Sequence, residues 1–231
     1  MRSKLKGLVG IVLLGSILHS GPPMMSDDPF TPDLHTFEIN FASEIEKGDD
    51  LKVVAPIIDV NYGIYPHTQL TLESGYASSR HHYRSDGLEV AVKYHFYRGE
   101  ILNVALYPKY LFYPINTPFD EGSSYEFQIP ISLQFSENLE WVTSLSYFYP
   151  QQESTHYEVG SYLAYQQKNH TYFLETYLEE NPTDNSLGTF FNLGYLYEYQ
   201  ENLAIMGSLG SESVDSKKEA NLAYIGVQLI F

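Results

Sequence analysis

Cysteine is absent from this chain of 231 residues. An exported protein of this sequence must therefore close its structure without disulfides, and it has no thiol to carry a lipid anchor. Basic residues are scarce: 13 Lys and Arg stand against 29 Asp and Glu, a formal net charge of −16. Phosphate binding needs clustered cations, so the balance argues against nucleic acid as a partner. Long hydrophobic runs are missing too, and none reaches the roughly 20 residues of a spanning helix. The longest, Gly7 to Leu18, follows Arg2, Lys4 and Lys6 and leads into His19, Ser20 and Gly21. A basic start, a short apolar run and small residues at the exit describe a secretory signal peptide over residues 1–21. Its removal takes away three basic residues and no acid, leaving the mature chain more acidic still.

What remains has a consistent period. A leader, Pro22 to Leu34, carries Pro22, Pro23, Pro29 and Pro32 together with several Asp. Proline blocks regular structure, so the leader reads as an extended tether or periplasmic arm. From His35 to the end, residues 35–231, apolar and polar residues alternate. Tyr125, Phe127, Ile129, Ile131, Leu133 and Phe135 face one way, and Ser124, Glu126, Gln128, Pro130, Ser132 and Gln134 the other. Six against six at period two is the pattern of a strand with one apolar face. About twelve such segments follow one another, an even number as bacterial single-chain barrels require. The segments between them alternate longer and shorter, from Glu46–Asp50 and Tyr65–His67 to Gln200–Asn202 and Ser211–Glu219. A membrane barrel puts short turns on one side and longer loops on the other. Aromatics gather near the strand ends, where an apolar ring with a polar tip suits the membrane interface. The fold expected is a single antiparallel transmembrane β-barrel of about twelve strands.

Its closing strand, Asn221 to Phe231, ends on a bare aromatic. Tyr224, Gly226, Leu229 and Phe231 resemble the insertion signal of bacterial outer-membrane barrels, which implies the barrel-assembly machinery as a partner. Two stretches carry a wider likeness. Asp27, Asp28 and Pro29, then Phe37, Glu38, Ile39 and Asn40, and then Ala55, Pro56, Asp59, Asn61, Tyr62 and Gly63 resemble the start of the outer-membrane family named after the meta-pathway of phenol degradation. Gly226, Leu229 and Phe231 match that family's closing strand. The resemblance implies an exported barrel described as a transporter, with a poorly defined cargo.

If the apolar faces meet lipid and lipopolysaccharide, the opposite faces line a lumen. The lining residues are then Glu38, Asn40, Asp59, Asn61, Glu73, Glu89, Lys93, His95, Glu126, Gln128, Glu158 and Glu175, with Lys109 as a further cation. Carboxylates crowded in a narrow lumen repel one another unless paired, solvated or protonated. Two readings follow: a conduit for passive passage of small solutes, hydrophobic or aromatic ones included, or a closed structural or adhesion barrel with a plugged lumen. A lipid-modifying enzyme is the third. Against it, the sequence has no Gly-x-Ser-x-Gly, and none of its eight histidines is followed two places later by serine, the spacing that outer-membrane phospholipases show. No cofactor or metal is called for. Arg80, His81, His82 and Arg84 form the one local basic patch, read as solvated charges in an outer loop, because adjacent histidines in an extended chain point apart.

Overall fold

The computed structural model describes residues 23–48, 50–79, 82–112, 123–150, 155–181, 186–215 and 217–231. The signal-peptide stretch, and Arg80 and His81 of the basic patch, lie outside them. Twelve strands follow in chain order: β1 (Phe37–Lys47), β2 (Leu51–Tyr65), β3 (Thr68–Ser79), β4 (His82–Arg98), β5 (Leu102–Phe112), β6 (Ser124–Ser136), β7 (Leu139–Pro150), β8 (His156–Gln167), β9 (His170–Asn181), β10 (Ser186–Gln200), β11 (Leu203–Val214) and β12 (Lys217–Ile230). Every neighbouring pair is antiparallel, and β1 closes on β12. The closing ladder runs from Glu38 opposite Ile230 to Lys47 opposite Asn221. At its end Phe37 and Phe231 exchange backbone hydrogen bonds of 2.7 and 3.0 Å. Among the described residues no strand edge is left open, which is the condition for a sheet to stand in hydrocarbon, where each unpaired backbone group costs several kcal/mol.

The alternation seen in the sequence becomes an inside and an outside. Phe41, Ile58, Leu72, Val90, Phe127, Leu145, Leu163, Leu174, Leu193, Leu209 and Ile225 are exposed on the outer surface. Their strand neighbours Asn40, Asp59, Thr71, Gln128, Ser144, Glu175 and Asn192 are buried inside. A polar interior and an apolar exterior invert the order of a soluble protein. The parity slips once in β2, where the register shifts between Val54 and Ile57. Val54 points inward ahead of the shift and Asp59, Asn61 and Gly63 after it, and Pro56, which has no backbone donor to lose, sits inside that bulge. Rings collect near both rims. Phe37 stacks on Tyr62 at 4.4 Å near the chain ends, and Tyr110 meets Tyr125 at 4.8 Å near the other rim.

Two expectations are corrected. Segments 78–86 and 211–219, read as loops, are mostly strand: β3 and β4 pair out to Ser79 opposite His82, and β11 and β12 out to Val214 opposite Lys217. Strands of up to 17 residues exceed the 9–11 that cross a bilayer. Beyond the lipid a strand needs no apolar face, so polar composition there does not mark a loop. Also, the barrel begins at Phe37, and the described part of the leader turns into the lumen instead of trailing away as an arm.

The inside–outside assignment makes a direct prediction. Leu209→Arg, on the outer face at mid-strand, should cost about 2–4 kcal/mol of folding free energy in lipid vesicles. Ser208→Arg, one residue away and facing a cavity, should cost markedly less, as read from denaturant titrations.

Candidate functional site: a leader seated in an acidic lumen

Residues 23–34 carry almost no apolar run, yet Pro23, Met24, Ser26, Asp28, Pro29 and Pro32 are buried. The barrel wall supplies what an irregular segment lacks, partners for its backbone. Glu175, at the middle of β9, accepts hydrogen bonds from Met25 N at 3.1 Å, Ser26 N at 2.8 Å and Ser26 Oγ at 2.7 Å. Asn192 on β10 donates Nδ2 both to the Pro23 carbonyl and to Glu175 Oε2, each at 3.1 Å. Backbone bonds from His35 N to the Gly63 carbonyl and from Gly63 N to the Thr36 carbonyl tether the leader's other end to β2.

Three glycines make room, and a Cβ on Gly63 of β2 would collide with the Asp33 carbonyl of the leader. A Cβ placed on Gly160 of β8 would collide with Ser26 Oγ, and one on Gly194 of β10 with Met24 Cε. Glycine inside a strand weakens it and often marks close approach by another backbone. Met24 fills the space so provided and joins a cluster with Val142, Tyr162 and Ala164, against which Phe173 packs.

The leader also brings charge. Asp27 Oδ2 lies 2.9 Å from Lys109 Nζ, and Asp27 Oδ1 lies 3.7 Å from Lys93 Nζ. Lys109 reaches Glu126 as well, at 3.3 Å. Both ammonium groups lie over the Tyr107 ring, 4.6 and 4.7 Å from its centre, an attraction that strengthens when the cation is desolvated. Burial opposes the ionised form of Asp27, but Lys109 and Lys93 outweigh it and hold its carboxyl below the ordinary range. The carboxylate therefore stays charged, and paired, at neutral pH.

Each residue expected in the lumen has a definite place. Asn40 donates to Asp59 Oδ2 at 2.9 Å and Asn61 donates to the same oxygen at 2.9 Å, with Glu38 beside Asn40 at 3.4 Å. Asp59, Glu73 and Glu89 stand opposite one another across β2, β3 and β4, an acidic row. Lys93, Glu126 and Glu175 meet the leader directly or through Lys109. The His95 and Phe30 rings meet at 88° with centroids 5.6 Å apart, and His95 bonds Asn103 at 3.1 Å. Gln128 is buried on β6 between Tyr107 of β5 and Ser146 of β7. Glu158 lies apart on β8, bonded by Tyr177 and His156. At the closing strand, Tyr224 and Gly226 face inward, while Leu229 is on the outer side and Phe231 lies exposed at the rim. Sequence reasoning gave no site role to Tyr107, Asn192, Gly160 or Gly194, and read the leader as a tether or periplasmic arm. Only the two mid-strand glycines carried a readable signal.

Beside the leader a cavity of about 330 Å3 remains. Asn40, Asp59, Asn61, Glu73 and Glu89 line its polar wall, and Met24, Ile57, Phe190, Leu222 and Tyr224 its apolar one. Among the described residues, Asn40 Oδ1 and Asp59 Oδ1 are buried acceptors with no donor.

No protein-family model matches the chain, and no curated protein matches it in sequence. Solved structures do match in fold. The COG4313 outer membrane channel from Pseudomonas putida F1 superposes with a TM-score of 0.75 at 9% identity, over 88% of this chain and 98% of that one. The NanC porin follows at 0.66 and 12% identity, over 83% and 98%. The CymD monoaromatic hydrocarbon channel follows at 0.56 and 7% identity, over 86% and 89%. The chain thus shares the closed barrel fold of outer-membrane channels and porins.

The seat of the leader gives two expected outcomes. Glu175→Ala strips the acceptor from two backbone donors, a loss of about 1–3 kcal/mol for each donor left buried and unpaired, and should raise single-channel conductance in planar bilayers and expose residues 23–30 to added protease. Gly194→Val should do the same from the neighbouring strand β10 without removing any polar partner; unchanged conductance and protease resistance in both variants would show that the leader is not held this way.

Proposed function

We propose that this protein is an outer-membrane channel of the phenol meta-pathway likeness, obstructed at rest by its own leader, and that its cavity takes single-ring solutes carrying hydroxyl groups. The carrying observation is the cavity beside the leader. A dry cavity of about 150 Å3 holds benzene, so about 330 Å3 accommodates one substituted ring. The apolar wall of Phe190, Leu222, Ile57 and Met24 suits the ring face. Beside it, the amides and carboxylates of Asn40, Asp59, Asn61, Glu73 and Glu89 border the cavity, and a site built to hydrogen-bond a solute hydroxyl discriminates strongly against solutes without one. The mostly acidic lining disfavours anionic solutes. That CymD, a channel of the same fold, is a monoaromatic hydrocarbon channel is consistent with this choice of cargo.

A barrel obstructed for good would serve structure or adhesion instead, and the packed half of the lumen around Met24 favours that second reading. The leader's hold separates the two. It consists of hydrogen bonds and ion pairs, which exchange readily for water, and of one apolar anchor, Met24, not of a folded plug domain. Tyr224, Gly226, Leu229 and Phe231, with Phe231 exposed at the rim, serve as the mark for the barrel-assembly machinery.

The test is equilibrium dialysis of the folded, detergent-solubilised protein with radiolabelled catechol. Saturable binding is expected, weakened at least tenfold by Leu222→Trp, which fills the cavity, and weakened by Asp59→Leu, while a disaccharide does not compete. Absence of saturable binding, or binding that Leu222→Trp leaves unchanged, contradicts the assignment.

A further inference from the structure

A second group of side chains lies outside the lining of that cavity, at the end of β8 and β9 away from the chain termini, where a neighbouring vestibule is bordered by Tyr177, Glu179 and Met25 of the leader. His156 and Glu158 are two residues apart on β8 and so share its inner face. Glu179 is the register partner of Glu158 on β9. His156 Nε2 lies 3.2 Å from Glu158 Oε1 and 3.8 Å from Glu179 Oε1, and one donor atom from each of the three falls within 4.8 Å of the others. Around a tetrahedral zinc-like ion, bonds of about 2.0–2.2 Å place ligand atoms roughly 3.3 Å apart. A small swing of the half-exposed Glu179 side chain is enough to reach that spacing.

The surroundings act on these groups as a ligand site requires. Tyr177 donates its hydroxyl to Glu158 Oε2, which leaves Oε1 turned to the imidazole. Carboxylate ligands are characteristically fixed by such outer hydrogen bonds. The imidazole stacks on Phe148 at 4.7 Å and 7° between planes, which sets its ring direction. Like charges directly opposite in a sheet are destabilising, yet Glu158 and Glu179 face each other, and among the described residues no Lys or Arg forms an ion pair with either. A dication between them removes that repulsion. One imidazole with two carboxylates suits a borderline metal better than calcium or magnesium, which take oxygen ligands.

We propose that His156, Glu158 and Glu179 form a binding site for a divalent transition metal of the zinc class at this mouth of the barrel, with at least one coordination position left for water or a solute oxygen. The inference is independent of what the cavity carries.

The experiment uses the full folded protein, stripped with EDTA and titrated with ZnCl2 by calorimetry and with CoCl2 by visible absorption. One saturable site per chain is expected, persisting in excess MgCl2. His156→Ala should weaken Zn2+ at least tenfold and abolish the Co2+ absorption band, and Glu179→Gln should weaken it measurably. Glu212→Gln, a carboxylate bordering the same vestibule but outside the ligand set, should leave binding unchanged. Folding of each variant is checked by heat-dependent mobility in SDS gels, and His156→Gln replaces His156→Ala if the latter fails to fold. No saturable binding by the wild-type chain, unaltered binding without His156, displacement by MgCl2, or an equal loss on Glu212→Gln overturns the proposal.

Discussion

Everything in this molecule depends on the ladder between β1 and β12. In lipid a sheet must close, and closing it with the first and last strands fixes where both chain ends lie. Phe37 and Phe231 are bonded to each other at one rim, so whatever precedes Phe37 starts beside the opening of the lumen. From there a segment either leaves the barrel or folds into it. The leader folds in, because the inner wall offers what water would otherwise supply: an acceptor for Met25 and Ser26 in Glu175, a donor for Pro23 in Asn192, and cations for Asp27 in Lys93 and Lys109.

The same closure explains the polarity of the interior. A twelve-stranded ring is too narrow for the wide aqueous channel of barrels with 16–18 strands, and its inner residues touch across the lumen. Unpaired carboxylates cannot be left there cheaply. The chain resolves this in sectors. Towards β6–β9 the lumen is filled by Met24 among Val142, Tyr162 and Ala164. Towards β4–β6, Asp27, Glu126 and the two lysines neutralise one another around Tyr107. The acidic row Asp59, Glu73 and Glu89 then borders the space that stays open. The division of the lumen into a packed part, a paired part and an open part is what makes a solute cavity compatible with an obstructing leader.

The barrel was legible in the sequence because period-two alternation runs through the strands, with a slip at the β2 bulge, and because the inner faces are marked by amides, small residues or carboxylates. Glu38, Asn40, Asp59 and Asn61 read as one face before any coordinates, and they form one hydrogen-bonded group. The leader was not legible. Prolines and aspartates have the composition of a solvated tether, and nothing in a local window reveals that Glu175, about 150 residues later, accepts its backbone. Gly160 and Gly194 were the available hint, since glycine in the middle of an otherwise bulky strand asks what comes close. Loop lengths misled for a related reason: Ser, Glu and Lys near Val214 belong to a strand that has already left the lipid and no longer needs an apolar face.

The central claim is that the leader sits inside the folded barrel with Asp27 against Lys109. The direct measurement is zero-length carbodiimide coupling of the native protein in detergent, followed by peptide mass spectrometry, because an amide forms only where carboxylate and amine are already in contact. The account predicts a cross-link from Asp27 to Lys109, with a minor one to Lys93, lost when the protein is unfolded before coupling. Cross-links from Lys109 to Glu126 alone, with Asp27 recovered as the free, reagent-modified carboxyl, would place the leader outside the lumen and contradict it.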